Sequence, residues 1–360
     1  MRPILLLAAL FLVSASARAE ERVVNVYNWT DYIDPRAIAG FEQATGIKVR
    51  YDVYDSLETL EAKLSAGNSG YDVVVPTDQP TFARLVREGA LATLDRAKLP
   101  HAAGLDPALM QQVRAADPDG THGVIYLWGS IGLGLLPDRV HALAPDAVTD
   151  SWDLLLRPEN AKRLAGCGIT MLDSATDVIP SVLHALHRDP NSIDAGDLAA
   201  VAQALGAIRP YIRTFVSSGA VNALAEGSIC LALSYSGDVI QAQARAQEAG
   251  RGTVVRYVAP REGAQLWFDM LAVPADAPHR DAALAFIDYL LRPEVIAGIT
   301  NVVRYPNAVP ASLPLVNAAL RDDASVYPPA ADRARFFTVH AVPAAAARAR
   351  TRMWARFKAG

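Results

Sequence analysis

Three short segments set carboxylates beside aromatic rings: Tyr27-Asn28-Trp29-Thr30-Asp31-Tyr32, Tyr235-Ser236-Gly237-Asp238 and Trp267-Phe268-Asp269. A fourth, Asp173 to Asp177, adds acids without a ring, and Tyr305 stands apart later in the chain. None of these segments contains Lys or Arg. Carboxylates hold ammonium groups through charge-assisted hydrogen bonds, and ring faces attract cations while covering hydrocarbon. The combination suits a ligand that is cationic at its ends and apolar between them, which describes an aliphatic polyamine. Any one of these acids alone reads as a solvated charge or a helix cap, so the case rests on their recurrence. The same acids, Asp238 and Asp269 above all, could serve as acid and base in a hydrolase. No G-x-S-x-G or H-E-x-x-H motif accompanies them.

The elements that must position these residues alternate in type. Val23 to Tyr27 is β-branched and strand-like, and Pro35 to Thr45 has apolar residues at helical spacing before Gly46 stops it. Ile47 to Tyr54, Ser56 to Ala66 and Tyr71 to Val75 continue as strand, helix and strand. This βαβαβ order implies a mostly parallel sheet with helices on both faces, whose ligands sit at the carboxyl ends of the strands. Trp29 to Tyr32 and Pro76-Thr77-Asp78 fall at such ends. A second α/β series runs through Ile169 to Leu172, Val178 to His187, Gly196 to Leu205 and Ile229 to Ser234. The apolar stretches Val124 to Leu136 and Gly252 to Val258 lie between the two series and could each cross from lobe to lobe as a hinge. The expected division is 1–19 as a signal peptide, 20–127 with 253–298 as a first lobe, and 128–252 with 299–360 as a second.

With 360 residues, 51% of them hydrophobic, the chain can bury a core large enough for two domains. Lys and Arg number 34 against 38 Asp and Glu, a formal charge of -4, which offers no basic field for a nucleic acid. Arg2, the apolar run Ile4 to Val13 and the small residues ending in Ala17-Arg18-Ala19 have the three parts of a secretory signal. The apolar run is too short to span a bilayer, and no Cys follows the cleavage site to carry a lipid, so a soluble periplasmic protein is expected. Cys167 and Cys230 are the only cysteines. An oxidising compartment favours joining them, closing a loop of about 63 residues worth about 4 kcal/mol in the loop-entropy model; two buried free thiols are the alternative.

Two further patterns read as structural. Gly129-Ser130-Ile131-Gly132-Leu133-Gly134 is followed by Leu135-Leu136-Pro137 rather than by a helix that could face a pyrophosphate, so the glycines are expected to permit close packing or bending. His184 and His187 could share a helix face as metal ligands, but no third ligand lies at a matching spacing, and no metal is expected.

Tyr27 to Ile33, Phe41 with Thr45 to Val49, Tyr71 to Pro76, Asp150-Ser151-Trp152-Asp153-Leu154 and Leu290-Leu291-Arg292-Pro293-Glu294 closely resemble segments of the periplasmic polyamine-binding proteins of ATP-driven importers. The similarity covers essentially the whole mature chain, and the putrescine-binding branch, whose two matching Cys form a disulfide, resembles it most. The resemblance implies a two-lobe α/β solute-binding protein of the type II-like form that closes by a hinge around a ligand between its lobes. It implies no cofactor, a monomer, and an inner-membrane permease as partner. Carried over position by position, Trp29 and Tyr32 are cleft walls, with Thr30 and Asp31 completing their loop and Thr77 a small hydroxyl near the ligand. Asp238 and Asp269 are the principal counter-charges, Asp177 an additional acid, and Trp267 and Tyr305 further rings. Tyr235 stands where the branch commonly has Trp, Asp177 where it often has Glu, and Trp267 where many members have Phe. Asp78 adds an acid near the first-lobe rim. These departures keep spermidine, cadaverine and agmatine open beside putrescine, and a polyamine sensor open beside an importer.

Overall fold

The β-branched run at the start forms β1 (Val23–Trp29), which pairs in parallel with β2 (Lys48–Tyr54) on one side and β3 (Val73–Val74) on the other. The computed structural model describes residues 22–216 and 220–360, so the expected signal peptide lies outside the described residues. Between β1 and β2 the helix Pro35–Thr45 starts at Asp34, whose side chain accepts the Arg36 N–H, and stops at Gly46, with φ 68°. Proline at the first helical position and glycine in the left-handed cap are the local chemistry that sets both ends. Among the described residues no helix is long and apolar enough to cross a membrane.

Five further strands complete the main path of the sheet: β4 (Gly123–Leu135), β5 (Ile169–Leu172), β6 (Thr214–Val216), β7 (Leu231–Tyr235) and β9 (Gln265–Ala272). Its order is β2-β1-β3-β9-β4-β7-β5-β6; β8 (Arg256–Val258) pairs with β4, and β10 (Phe337–Thr338) with β9. Two parallel groups, β2-β1-β3 and β7-β5-β6, stand at the ends. Between them β9 runs antiparallel to β3 and β4, and β4 antiparallel to β7. The sheet is therefore mixed rather than mostly parallel, because the strands joining the two groups return against them.

β4 is buried along all thirteen residues and changes partners along its length. Gly123 to Ile131 pair with β9, and Ile131 to Leu135 with β7. β8 pairs with Leu133 to Leu135, at the end of β4 that faces β7. The glycines of β4 serve close approach. A side chain on Gly132 would place its Cβ 2.5 Å from the Val258 carbonyl oxygen, and one on Gly134 would meet the Val239 side chain at 2.7 Å.

The end of the chain divides its packing. The helix Pro293–Val303 lies against Pro35–Thr45 and the turn Pro310–Leu315, and the Asn307 carbonyl accepts the Trp128 indole N–H at 3.1 Å. Pro293–Val303 thus packs on the first group, while Tyr305 just beyond it reaches Asp238 of the helix Ser236–Ala249. The last helix, Ala344–Ala359, returns to the second group, against Ala175–Ala185 and Ala195–Ile208. There Trp354 Nε1 and Lys358 Nζ both reach Asp173, at 3.0 and 2.6 Å. Cys167 and Cys230 are joined, with Cα atoms 5.6 Å apart, inside the usual range for a disulfide. His184 Nε2 lies 2.7 Å from the Glu262 carbonyl oxygen.

Candidate functional site

The carboxyl end of β1 delivers the first rings. Trp29 donates its indole N–H to the Val75 carbonyl at 3.0 Å and leans on Tyr54, centroids 4.6 Å apart. Tyr32, buried beyond the turn, stands edge-on to Tyr126 at 5.7 Å and to Tyr305 at 5.6 Å. From Tyr305 the series continues edge-to-face to Trp267 at 5.2 Å and from Trp267 to Tyr235 at 5.9 Å. One unbroken run of four rings thus reaches from the β1 turn to the end of β7. Glycines make room for it: a Cβ on Gly237 would enter the Tyr305 ring, and one on Gly129 would enter the Trp267 indole.

Three acids are pinned along this run. Asp269, 4% exposed on β9, accepts the Thr77 hydroxyl at 2.6 Å, and the Tyr32 hydroxyl and the Trp29 indole lie beside it. Asp238, in the first turn of the helix Ser236–Ala249, accepts the Tyr305 hydroxyl at 2.7 Å. Asp177, in the first turn of Ala175–Ala185, accepts the Tyr235 hydroxyl at 2.8 Å and the Gln265 amide N–H at 3.2 Å. Burial pushes Asp269 up to about 7 and Asp238 up to about 6, and it raises Asp177 as well, with Glu58 on the facing helix Leu57–Ser65 adding to that rise. Their hydrogen bonds pull the other way but do not compensate. Desolvation of this kind favours the neutral carboxyl, and a nearby cation would favour the ionised one.

Other residues complete the account. The backbone N–H and hydroxyl of Thr30 both turn to the Tyr54 carbonyl, at 3.1 and 3.3 Å. Asp31 is exposed at φ 55° and makes no side-chain hydrogen bond among the described residues, so neither residue joins the ring and acid series. Asp78 is buried rather than at a rim: its Oδ1 accepts the Phe268 N–H at 3.1 Å, and burial, with Asp269 nearby, pushes it up to about 7. Gln265 was not singled out from the sequence; its spacing from Trp267 and Asp269, two and four residues, was the available signal. Gln265 Oε1, Trp267 Nε1 and the Tyr32 hydroxyl are buried without a hydrogen-bond partner among the described residues. A buried group left unpaired in this way costs about 1–3 kcal/mol. A groove between Ala202, Arg209, Met353 and Phe357 lies elsewhere, on the second group, and contains none of these residues.

A family model described as bacterial extracellular solute-binding protein matches residues 36–326. The chain belongs to that family. Among solute-binding proteins that resemble it, the putrescine-binding periplasmic protein SpuD of Pseudomonas aeruginosa is 45% identical over 343 residues, 95% of this chain and 93% of the relative. The putrescine-binding periplasmic protein PotF of Escherichia coli is 45% identical over 359 residues, 99% of this chain and 97% of the relative. In three dimensions the spermidine/putrescine ABC transporter substrate-binding protein PotD of Streptococcus pneumoniae has the same fold, with a TM-score of 0.81 at 24% identity over 94% of this chain and 99% of that one. The ring and acid series runs from the turn after β1, past β9, to the end of β7.

Proposed function

We propose that this chain binds an aliphatic polyamine, putrescine first, between its lobes in the periplasm and delivers it to an inner-membrane ATP-driven permease. The observation that carries the reading is the pairing of two carboxyls, buried Asp269 and half-buried Asp238, with one continuous series of rings. Putrescine carries an ammonium at each end, and taking those charges out of water is costly unless each meets a carboxylate with good hydrogen bonds. Asp269 takes one ammonium and Asp238 the other. Tyr32, Tyr305, Trp267 and Tyr235 cover the methylenes, and each ring face well placed over a cation adds about 0.5–2 kcal/mol.

The lobes divide within β4 and β9 in this reading, and both contribute to the ligand's walls. A ligand held by both favours the closed form by its differential affinity, and the permease recognises that form. No bond is made or broken and no cofactor is needed; the protein acts as a monomer. Support comes from the acid and ring geometry and from the names of the 45% identical relatives.

Calorimetric titration of ligand-stripped protein with putrescine tests the reading. Binding should appear in the wild type and weaken about 100-fold or more in Asp238→Asn, since truncating a buried charge pair costs a few kcal/mol. Wild-type protein silent to putrescine and to longer amines would end it, and so would equal putrescine affinities for wild type and Asp238→Asn.

A further inference from the structure

The helix Ala344–Ala359 is basic and contains no acid. Two of its cations work inside the fold: buried Arg350 donates to the Pro190 and Ser192 carbonyls, and Lys358 reaches Asp173. Arg348, Arg352 and Arg356 do not. All three are exposed, and their side chains make no hydrogen bond or ion pair among the described residues. Their four-residue spacing stacks them on one side of the helix, where like charges one turn apart repel. Nothing in the described chain offsets that repulsion.

The row borders a groove. Ala195–Ile208 packs beside Ala344–Ala359, and the groove between them is lined by Ala202 and Gly206 from the one helix and by Ala349, Arg352, Met353 and Arg356 from the other. At the end of both helices Arg209 is held in place, its Nε 2.9 Å from the Phe357 carbonyl and its Nη2 2.6 Å from that of Lys358. No Asp or Glu lines the groove. The acid of Ala195–Ile208, Asp197, lies in its first turn and is taken by Arg188 and Ser192. On a chain whose formal charge is -4, this surface is locally positive.

Gly206 adds an independent observation. It is exposed, and a Cβ placed on it would meet no atom within 4 Å. Glycine weakens a helix, and no close contact within the chain requires it at this position. Together with Ala202 and Ala349 it leaves a smooth floor open to close approach from outside. Two helices with small residues between them make a seat for a third, at an axis separation of about 8–10 Å. From Arg348 to Arg356 the row runs about 12 Å, so acids on successive turns of an incoming helix would meet it in register.

We propose that the groove between Ala195–Ile208 and Ala344–Ala359 docks an acidic amphipathic helix of a partner protein, its apolar side on Ala202, Gly206 and Met353 and its carboxylates on Arg352 and Arg356. The surface shares no residue with the ring and acid series, so it stands independently of the amine reading.

The test uses a stapled helical peptide with an alanine and leucine face flanked by glutamates at i, i+4 and i+8, beside a twin with lysine at those positions. Each is titrated by fluorescence anisotropy against wild type, Gly206→Leu, which fills the groove, and Arg352→Glu, which reverses its charge. Wild type should bind the glutamate peptide at least about tenfold more tightly than the lysine twin, and each variant should lose about tenfold or more of that affinity. Added salt should weaken the binding. Thermal melts and putrescine titrations of both variants should match wild type, since both positions are exposed and outside the cleft. Equal affinity for the two peptides, or binding that survives both substitutions, overturns the proposal. Cosedimentation of the wild type with phosphatidylglycerol vesicles, lost in Arg352→Glu and without peptide binding, would assign the arginines to a lipid surface instead. A dimer dispersed by Gly206→Leu would give the groove to a second copy of the chain, and either result overturns the partner helix.

Discussion

Asp78 Oδ1 accepts the backbone N–H of Phe268 at 3.1 Å, which sets a second buried carboxyl behind the cleft-facing pair Trp267 and Asp269. The neighbouring links continue the lacing: the Pro76 carbonyl accepts the Met270 N–H at 2.9 Å, and Thr77 donates its hydroxyl to Asp269 at 2.6 Å. Asp78 ends this ladder where the chain turns away from β9, its carboxylate replacing a main-chain acceptor. The cost is two carboxyls that each oppose the other's ionisation, both pushed up to about 7, chiefly by burial.

A pH dependence of binding follows from that pair. Near neutral pH the ligand-free carboxyls are partly protonated, and an arriving ammonium favours their ionised forms, so binding should release protons. Apparent putrescine affinity should fall by about tenfold per pH unit for each proton released, below pH 7 and down to the carboxyl values of the bound state. Titrations at pH 5.5 and pH 8, in buffers of different ionisation heat, measure both the slope and the protons. Equal affinities at the two pH values would contradict the coupling.

The same burial weakens the empty protein. An Asp ordinarily titrates near 3.9, and Asp269 titrates at about 7 in the fold, so between those values the folded state binds the extra proton. Stability attached to that proton is fully present below about pH 4 and is lost as pH rises through about 7. Asp269→Asn removes the penalty, and its amide oxygen can still accept from Thr77. The variant should be more stable than wild type at pH 7.5 by on the order of 2 kcal/mol, nearly equal at pH 4, and defective for putrescine. Denaturant melts of the ligand-free proteins at the two pH values check the sign.

Much of the candidate site was legible because its residues sit at element junctions, where a ring or an acid breaks the apolar pattern: Trp29 at the end of β1, Asp238 after β7 and Asp177 at the head of its helix. β9 was read as a motif and not as a crossing strand because Asp269 interrupts its apolar run, even though all eight of its residues are buried. Gln265 escaped notice for a related reason: an uncharged amide at a strand start carries no signal until its row partners are known. The start of Ala175–Ala185 was set three residues late, since its first turn, Ala175-Thr176-Asp177, is largely polar and its apolar face begins at Val178. The packing of Pro293–Val303 on Pro35–Thr45 is long-range, and no local pattern encodes it.

The glycines of β4 make a mechanical prediction. A Cβ at Gly132 would lie 2.5 Å from the backbone carbonyl oxygen of Val258, which cannot rotate aside as a side chain could. Gly132→Ala should therefore displace β8 from β4 and destabilise the protein by roughly 1–3 kcal/mol, the usual range for overpacking. Gly166→Ala, at a glycine with no atom within 4 Å of the new Cβ, is the control. A Gly132→Ala melt that matches this control would show that β8 yields freely.

Tyr305 separates the work of a ring from that of its hydroxyl. The ring bridges Tyr32 and Trp267, at centroid distances of 5.6 and 5.2 Å, and the hydroxyl donates to Asp238 at 2.7 Å. That hydrogen bond lowers a carboxyl that burial lifts to about 6. Tyr305→Phe keeps the ring and removes the donor, so Asp238 should rise further and ionise less readily at a given pH. Putrescine affinity should fall by about tenfold at pH 8, the worth of a hydrogen bond to a charged group, and by more at pH 6, where the unassisted carboxyl stays protonated. Titrating wild type and Tyr305→Phe at both pH values reads the difference, and a loss that does not grow toward pH 6 would assign the hydroxyl to positioning the ring alone.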